Sequence, residues 1–301
     1  MNTHVIYHAN CKDGLAAAFV AHCCLLEMDR AYNAFPMNYD EVDKIYDIPM
    51  SEEDEVFILD FSLPNEMVLE LCTKVSKVII LDHHKSAIEK LSKLPKLTNL
   101  EMVLDNDRSG TVITFEYFEE MNFNPLEKEF FYYIQDRDLW QWKLEHSKEV
   151  SAYLALKVED NNIDSMANAY WKFQDEKEQL ITIGRTCIEM INKQVSEKVK
   201  QCIDLELCGV NFKCINATEN ISELGNAICN TYNQPALMYF IKDYSKLVLC
   251  FRSLNNLADV SKVAEQFGGG GHYCSSGATT TINIFESILS QNRLKMEKTN
   301  G

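Results

Sequence analysis

Short β-rich segments alternate with helical ones through the first half of the chain, an alternation that predicts an α/β domain with a mainly parallel sheet flanked by helices. Strand-like segments run from His4 to His8, Ala31 to Phe35, Glu55 to Asp60, Lys77 to Leu81 and Leu100 to Leu104. Between them a helix-like run extends from Gly14 to Glu27, and another opens at Pro64, where proline suits a first turn, and reaches about Lys74. Asp107 or Ser109 caps a further helix through Tyr117. From Leu126 to about Lys200 the pattern is mainly helical, and its polar stretch from Asp175 onward reads as a connector between lobes. Strand-like character returns from Leu205 to Ile215, and Ala236 to Ile241 pairs with Lys246 to Arg252 as a hairpin across Lys242-Asp243-Tyr244-Ser245. The predicted organisation is a domain over 1–200 that includes the helical connector, a smaller α/β domain over 201–290 and a polar tail over 291–301.

With 46% hydrophobic residues among 301, the chain has the material for a sizeable core. Its 11 cysteines form no Cys-x-x-Cys pair, and Met1-Asn2-Thr3-His4 has no basic segment leading into an apolar one, so a cytoplasmic protein with reduced thiols is expected. No apolar run approaches the roughly 20 residues of a membrane span. A formal net charge of -16 argues against wrapping long duplex nucleic acid, an affinity that comes mostly from Lys and Arg on phosphate. A small or single-stranded anionic substrate stays compatible with that charge, because divalent cations bound among carboxylates reverse the local sign.

Three predicted strands end in residues able to ligate a metal or carry a proton: His8, Asp60, and Asp82-His83-His84. Carboxyl ends of parallel strands converge at one edge of a sheet, where open α/β sheets bind their ligands. Each member alone has a plainer reading: Asp60 as a helix cap or solvated turn, Asp82-His83-His84 as a surface turn, Asp13 as a helix N-cap. Their coincidence favours ligation. Asp13 and Gly14 close the loop His8-Ala9-Asn10-Cys11-Lys12-Asp13-Gly14, and the glycine permits close approach of a helix backbone to a metal or phosphate. A fourth acidic element, Gln135-Asp136-Arg137-Asp138, offers Asp136 first and Asp138 second as ligands, against a solvated turn with local ion pairs. Trp140 and Trp142 either stack on a nucleobase or pack in the core. Ser109 has no base partner in the sequence and Cys11 reads as a packing residue, so no covalent nucleophile is indicated.

Together with Gly268-Gly269-Gly270-Gly271-His272, these motifs resemble the DHH phosphoesterase superfamily with its DHH-associated C-terminal domain, over about residues 4–280. The opening His-x-Asn-Cys-x-Asp-Gly and the later Asp136-Arg137-Asp138-Leu139-Trp140 are most similar to the nanoRNase and cyclic-nucleotide phosphodiesterase branch. The resemblance implies that His8, Asp13, Asp60, His83 and Asp136 ligate metal, with Asp60 bridging two ions. It implies a catalytic Asp82, His83 and His84, in which Asp82 orients the histidine pair and His84 faces the substrate phosphate. Arg252, Gly269, Gly270, Gly271 and His272 are the implied substrate-binding residues. Leu15 stands where many relatives carry a second Asp, so the second ion rests on the remaining ligands.

The cofactor implied is Mn²⁺, as two ions, with Mg²⁺ or Co²⁺ compatible with the same donors. The activity implied is hydrolysis of short oligoribonucleotides, or of linear or cyclic (di)nucleotides, by metal-activated water. Expected partners are a short nucleotide or other small phosphoester, with no long duplex, no membrane and room for a homodimer. Within the superfamily, the alternative is an exopolyphosphatase, pyrophosphatase or 3′-phosphoadenosine phosphate phosphatase. From another class, the alternative is a non-catalytic nucleotide sensor.

Overall fold

The apolar runs near the start of the chain become strands of one sheet in the computed structural model, which describes residues 2–287. In chain order these elements are β1 (Thr3–His8), α1 (Lys12–Glu27), β2 (Tyr32–Met37), β3 (Glu55–Leu59), α2 (Asn65–Lys74), β4 (Lys77–Asp82), α3 (Lys85–Leu91), β5 (Leu100–Leu104) and α4 (Gly110–Glu120). All pairings are parallel and the strand order is β2-β1-β3-β4-β5. The direction of winding therefore reverses between β1 and β3, which opens a crevice at their carboxyl ends.

Unbroken apolar runs arise because helices cover both faces. Val5, Tyr7, Phe57, Leu59, Ile79 and Leu81 face a core shared with α1 and α4, whereas Ile6, Val56, Ile58, Val78 and Ile80 face Val68 and Leu71 of α2 and Leu91 of α3. Burying each such side chain contributes about 1.5–3 kcal/mol relative to exposure. The first core continues into α5 (Glu129–Asp138), α6 (Ser147–Lys157) and α7 (Ile163–Val199). α7 breaks its helical backbone at Glu176 (φ -139, ψ 43), within the stretch predicted as connector.

The chain divides into two compact units between Ile188 and Glu189, inside α7. The second contains β6 (Ile203–Leu207), β7 (Val210–Asn216), α8 (Ile221–Tyr232), β8 (Ala236–Ile241), β9 (Lys246–Arg252), α9 (Val260–Glu265), β10 (Gly270–His272) and β11 (Ser275–Thr281). Its sheet is mixed, ordered β10-β11-β9-β8-β7-β6, with only β7 and β8 parallel. The segment expected as one strand-like piece from Leu205 to Ile215 is a hairpin. Leu207 pairs with Val210 across Cys208 (φ 53) and Gly209 (φ 77), two left-handed residues whose twist suits a two-residue turn. The hairpin expected at Ala236 to Arg252 forms as β8 and β9. The predicted polar tail lies outside the described residues. Among the described residues no helix is long and apolar enough to cross a membrane.

Candidate metal centre

His8 is the last residue of β1, Asp82 the last of β4, and Asp60 follows β3, its amide donating to Leu81 O at 2.8 Å. Asp60 takes a left-handed backbone (φ 51), a strained conformation that short polar side chains tolerate best. The crevice side of Asp60 is closed by the start of α4, where an added Cβ on Gly110 would lie 2.5 Å from Asp60 Cβ and 2.8 Å from its Cα. That helix start is capped by Ser109, whose hydroxyl accepts from Val112 N. Its next two amides donate to Asp13: Gly110 N to Oδ2 at 2.7 Å and Thr111 N to Oδ1 at 3.2 Å. The helix N-terminus thus holds a carboxylate from the first turn of α1.

Around Asp60 two triads meet. His8 Nδ1 lies 3.5 Å from Asp60 Oδ2 and His84 Nδ1 lies 3.8 Å from Asp60 Oδ1. His83 Nε2 lies 3.1 Å from Asp60 Oδ1, 3.5 Å from Asp138 Oδ2 and 3.7 Å from Asp13 Oδ2. The donor atoms of His8, Asp60 and His84 are mutually within 4.8 Å, as are those of Asp13, His83 and Asp138. Asp82 stands behind, its Oδ1 accepting from His83 N (2.7 Å), His84 N (3.2 Å) and His84 Nδ1 (2.7 Å).

The centre fits divalent cations on the state of its own atoms. Both oxygens of Asp60, Oδ2 of Asp138 and Nδ1 of His8 are buried and make no well-formed hydrogen bond among the described residues, only imidazole–carboxylate approaches of 3.1 to 3.8 Å, an arrangement that a bound cation would satisfy better. Burial, then the charges of Asp60 and Asp138, push the Asp13 carboxyl well above the usual range. Burial opposes ionisation of Asp60 too, but the His8, His83 and His84 imidazoles outweigh it and hold that carboxyl well below the usual range. Burial likewise disfavours charge on His83, yet Asp60, Asp138 and Asp13 raise its pKa well above the ordinary imidazole value. Three carboxylates crowded around one imidazole are a set that added positive charge relieves.

Of the residues expected to ligate metal, the structure brings together His8, Asp13, Asp60 and His83. Asp136 is not among them. Its buried carboxylate accepts from Lys143 N (2.9 Å) and Leu144 N (3.2 Å) and ties down the turn after α5, so the fourth motif reaches the centre through Asp138 instead. Asp13 is not a helix cap; Cys11 holds that position, without a side-chain cap bond. The Cys11 thiol is pushed up by burial and by the nearby Asp60, Asp138 and Asp13 charges, which suits an inert residue. Gly14 does permit a close approach, but to β1 itself, since a Cβ there would lie 2.5 Å from His8 O. Leu15 is buried in the apolar core. Trp140 and Trp142 pack edge-to-face at 5.0 Å under the Arg137 guanidinium, both with left-handed backbones.

Two features had no sequence signal. The amides of Gly110 and Thr111 meet Asp13 only through the fold, and Tyr39, in the loop after β2, sets its ring edge-on to His8 (5.4 Å) and His84 (6.3 Å). In the second unit, Arg252 closes β9 and donates to Phe251 O (2.9 Å) and Ser222 Oγ (3.0 Å). Within the glycine run, Gly270–His272 is an edge strand paired with β11, and a Cβ on Gly269 would lie 2.0 Å from Gly277 O.

A five-stranded parallel sheet whose carboxyl edge gathers imidazoles and carboxylates around unsatisfied oxygens defines an α/β protein built on a candidate dinuclear centre. No family model matches the chain. It is 30% identical over 304 residues to the uncharacterised protein R106 of Acanthamoeba polyphaga mimivirus, covering 91% of this chain and 66% of that protein. It is 24% identical over 257 residues to the oligoribonuclease NrnB of Bacillus subtilis, covering 80% and 63%. The chain thus spans just under two thirds of the length of these curated relatives. Among solved structures, RecJ of Thermus thermophilus in complex with Mn²⁺ shares the fold, with a TM-score of 0.55 at 13% identity over 100% of this chain and 52% of that one. The motifs' resemblance to the DHH phosphoesterase superfamily is thus joined by a likeness in sequence to NrnB and in fold to RecJ.

Proposed function

We propose that the protein is a divalent-cation-dependent phosphohydrolase of short nucleotides, either oligoribonucleotides of a few residues or linear or cyclic dinucleotides. The observation that carries this reading is the meeting of the His8–Asp60–His84 and Asp13–His83–Asp138 triads at Asp60. His8, Asp13, Asp60, His83 and Asp138 are the residues that would hold two cations, with Asp60 shared, and mixed imidazole and carboxylate donors suit Mn²⁺. Such a pair, when bound, supplies an activated water and neutralises charge on the phosphoryl oxygens. Asp138 supplies the carboxylate that Leu15 does not.

The remaining work falls to the chain itself. Asp82 fixes His84 through Nδ1, which leaves the opposite ring nitrogen to meet a substrate phosphate. A relative named as an oligoribonuclease supports short RNA as substrate, and a net charge of -16 disfavours longer polyanions away from the centre. Arg252, Gly269 to Gly271 and His272 of the second unit are read as phosphate contacts, on their likeness to the DHH-associated domain.

With Mn²⁺, purified protein is expected to release mononucleotide from a diribonucleotide faster than it cleaves a cyclic mononucleotide or polyphosphate, with a cyclic dinucleotide as the remaining comparison. Asp60→Asn and His83→Ala are expected to abolish the reaction. Turnover that survives both substitutions, or a preference for polyphosphate, sinks the reading.

A further inference from the structure

The loop from His8 to Asp13 carries one member of each triad, and its middle, Asn10 and Cys11, has little local support. Cys11 caps α1 without a side-chain hydrogen bond, and Asn10 is left-handed (φ 57) and exposed. Ala9 N donates to Met37 O at 3.0 Å and Asp13 is held by Gly110 and Thr111, while the exposed middle of the loop is held from 151 positions away. Asn10 N donates to Asn161 Oδ1 at 2.9 Å and Asn161 Nδ2 donates back to Asn10 Oδ1 at 3.0 Å. Asn161, itself left-handed (φ 58), lies in the turn between α6 and α7, and its carbonyl accepts from the buried Tyr7 hydroxyl at 3.3 Å. A second strut runs from Lys12 Nζ to Val158 O (2.7 Å) and Asp160 Oδ1 (2.8 Å) in the same turn.

We propose that the Asn10–Asn161 amide pair, with the Lys12 strut, is a latch that positions His8 and Asp13 for cation binding. Asn10 and Asn161 are positioning residues and touch no donor atom of the centre. The pairing is reciprocal, so it fixes both the position and the rotation of the loop, which a single exposed ion pair does not. Asparagine suits both ends because it tolerates the left-handed backbone while offering a donor and an acceptor. The inference rests on the reading of His8 and Asp13 as cation ligands.

Asn161→Gly removes the side chain while keeping a residue at ease with φ 58, so it deletes the latch without backbone strain. Asn161→Asp keeps an acceptor for Asn10 N and loses only the returned bond. Mn²⁺ affinity by titration calorimetry is expected to fall roughly tenfold in Asn161→Gly, the size seen when residues supporting a metal ligand are lost. Asn161→Asp is expected to lie between that variant and the wild type, and Lys12→Met to weaken affinity as well. In metal-free protein, hydrogen exchange at residues 9–13 is expected to quicken in Asn161→Gly with the folded core still protected. Wild-type Mn²⁺ affinity in Asn161→Gly overturns the latch while leaving the metal centre standing. No Mn²⁺ binding by the wild-type chain overturns the phosphohydrolase reading, and the latch's role with it.

Discussion

Asp136 and Asp138 lie about 200° apart around α5, so one helix cannot turn both carboxylates toward the same neighbour. Packing sends Asp138 to His83 and Asp136 to the amides of the following turn. Their substitutions should therefore part company. Asp138→Asn is expected to lower Mn²⁺-dependent turnover about 100-fold with little loss of stability. Asp136→Asn keeps one acceptor but leaves a second amide short of its partner, and is expected to cost about 1–3 kcal/mol in denaturant unfolding. Equal kinetic effects would refute the division. The same helical phase explains why a sequence reader hesitates here: both aspartates follow the aromatic run, and only the tertiary packing of α5 decides between them. Asp13 and Leu15 repeat the case on α1, one turned to the centre and the other buried in the core.

Strand ends were legible because a parallel strand buried on both faces is an unbroken apolar run, and the first polar residue after it lies at the carboxyl edge. His8, Asp60 and Asp82 to His84 are all placed by that rule. The partner of Asp13 was not legible, since the amides of Gly110 and Thr111 reach it from about 97 positions away. Gly110→Ala tests that contact. An added methyl 2.5 Å from Asp60 Cβ has only backbone and a fixed side chain to displace, so α4 must shift and take its hold on Asp13 with it. A loss of about 1–3 kcal/mol in stability is expected by denaturant unfolding, together with weaker Mn²⁺ binding by calorimetry. At the opposite edge of the sheet, Asn2 N (2.7 Å) and Ser51 N (2.8 Å) donate to Asp54 and hold its carboxyl well below the usual range, with His4 Nε2 3.3 Å away. A carboxyl depressed in the folded state adds stability that is complete above its unfolded pKa and is lost as pH falls toward the folded one. Thermal unfolding midpoints of the wild type are therefore expected to fall from about pH 5 downward more steeply than those of Asp54→Asn. Parallel pH profiles would remove Asp54 from the account.

At the scale of the whole molecule, the six donor residues of the two triads all belong to the unit that ends at Ile188. A cation that binds only the folded centre stabilises that unit by mass action, about 2.7 kcal/mol at a concentration 100 times its dissociation constant. For a unit of this size the gain is a rise in midpoint of roughly 5–10 °C. The second unit has a core of its own around Phe212, Leu249, Phe251 and Val263 and contributes no donor to these two triads. Calorimetric scans with and without Mn²⁺ are expected to move the first unit's transition and to return it on addition of chelator. His83→Ala should show no such movement, because it removes the imidazole that faces Asp60, Asp13 and Asp138 together. A Mn²⁺ shift that persists in His83→Ala, or that appears only in the second unit's transition, would relocate the cation away from the edge of the parallel sheet.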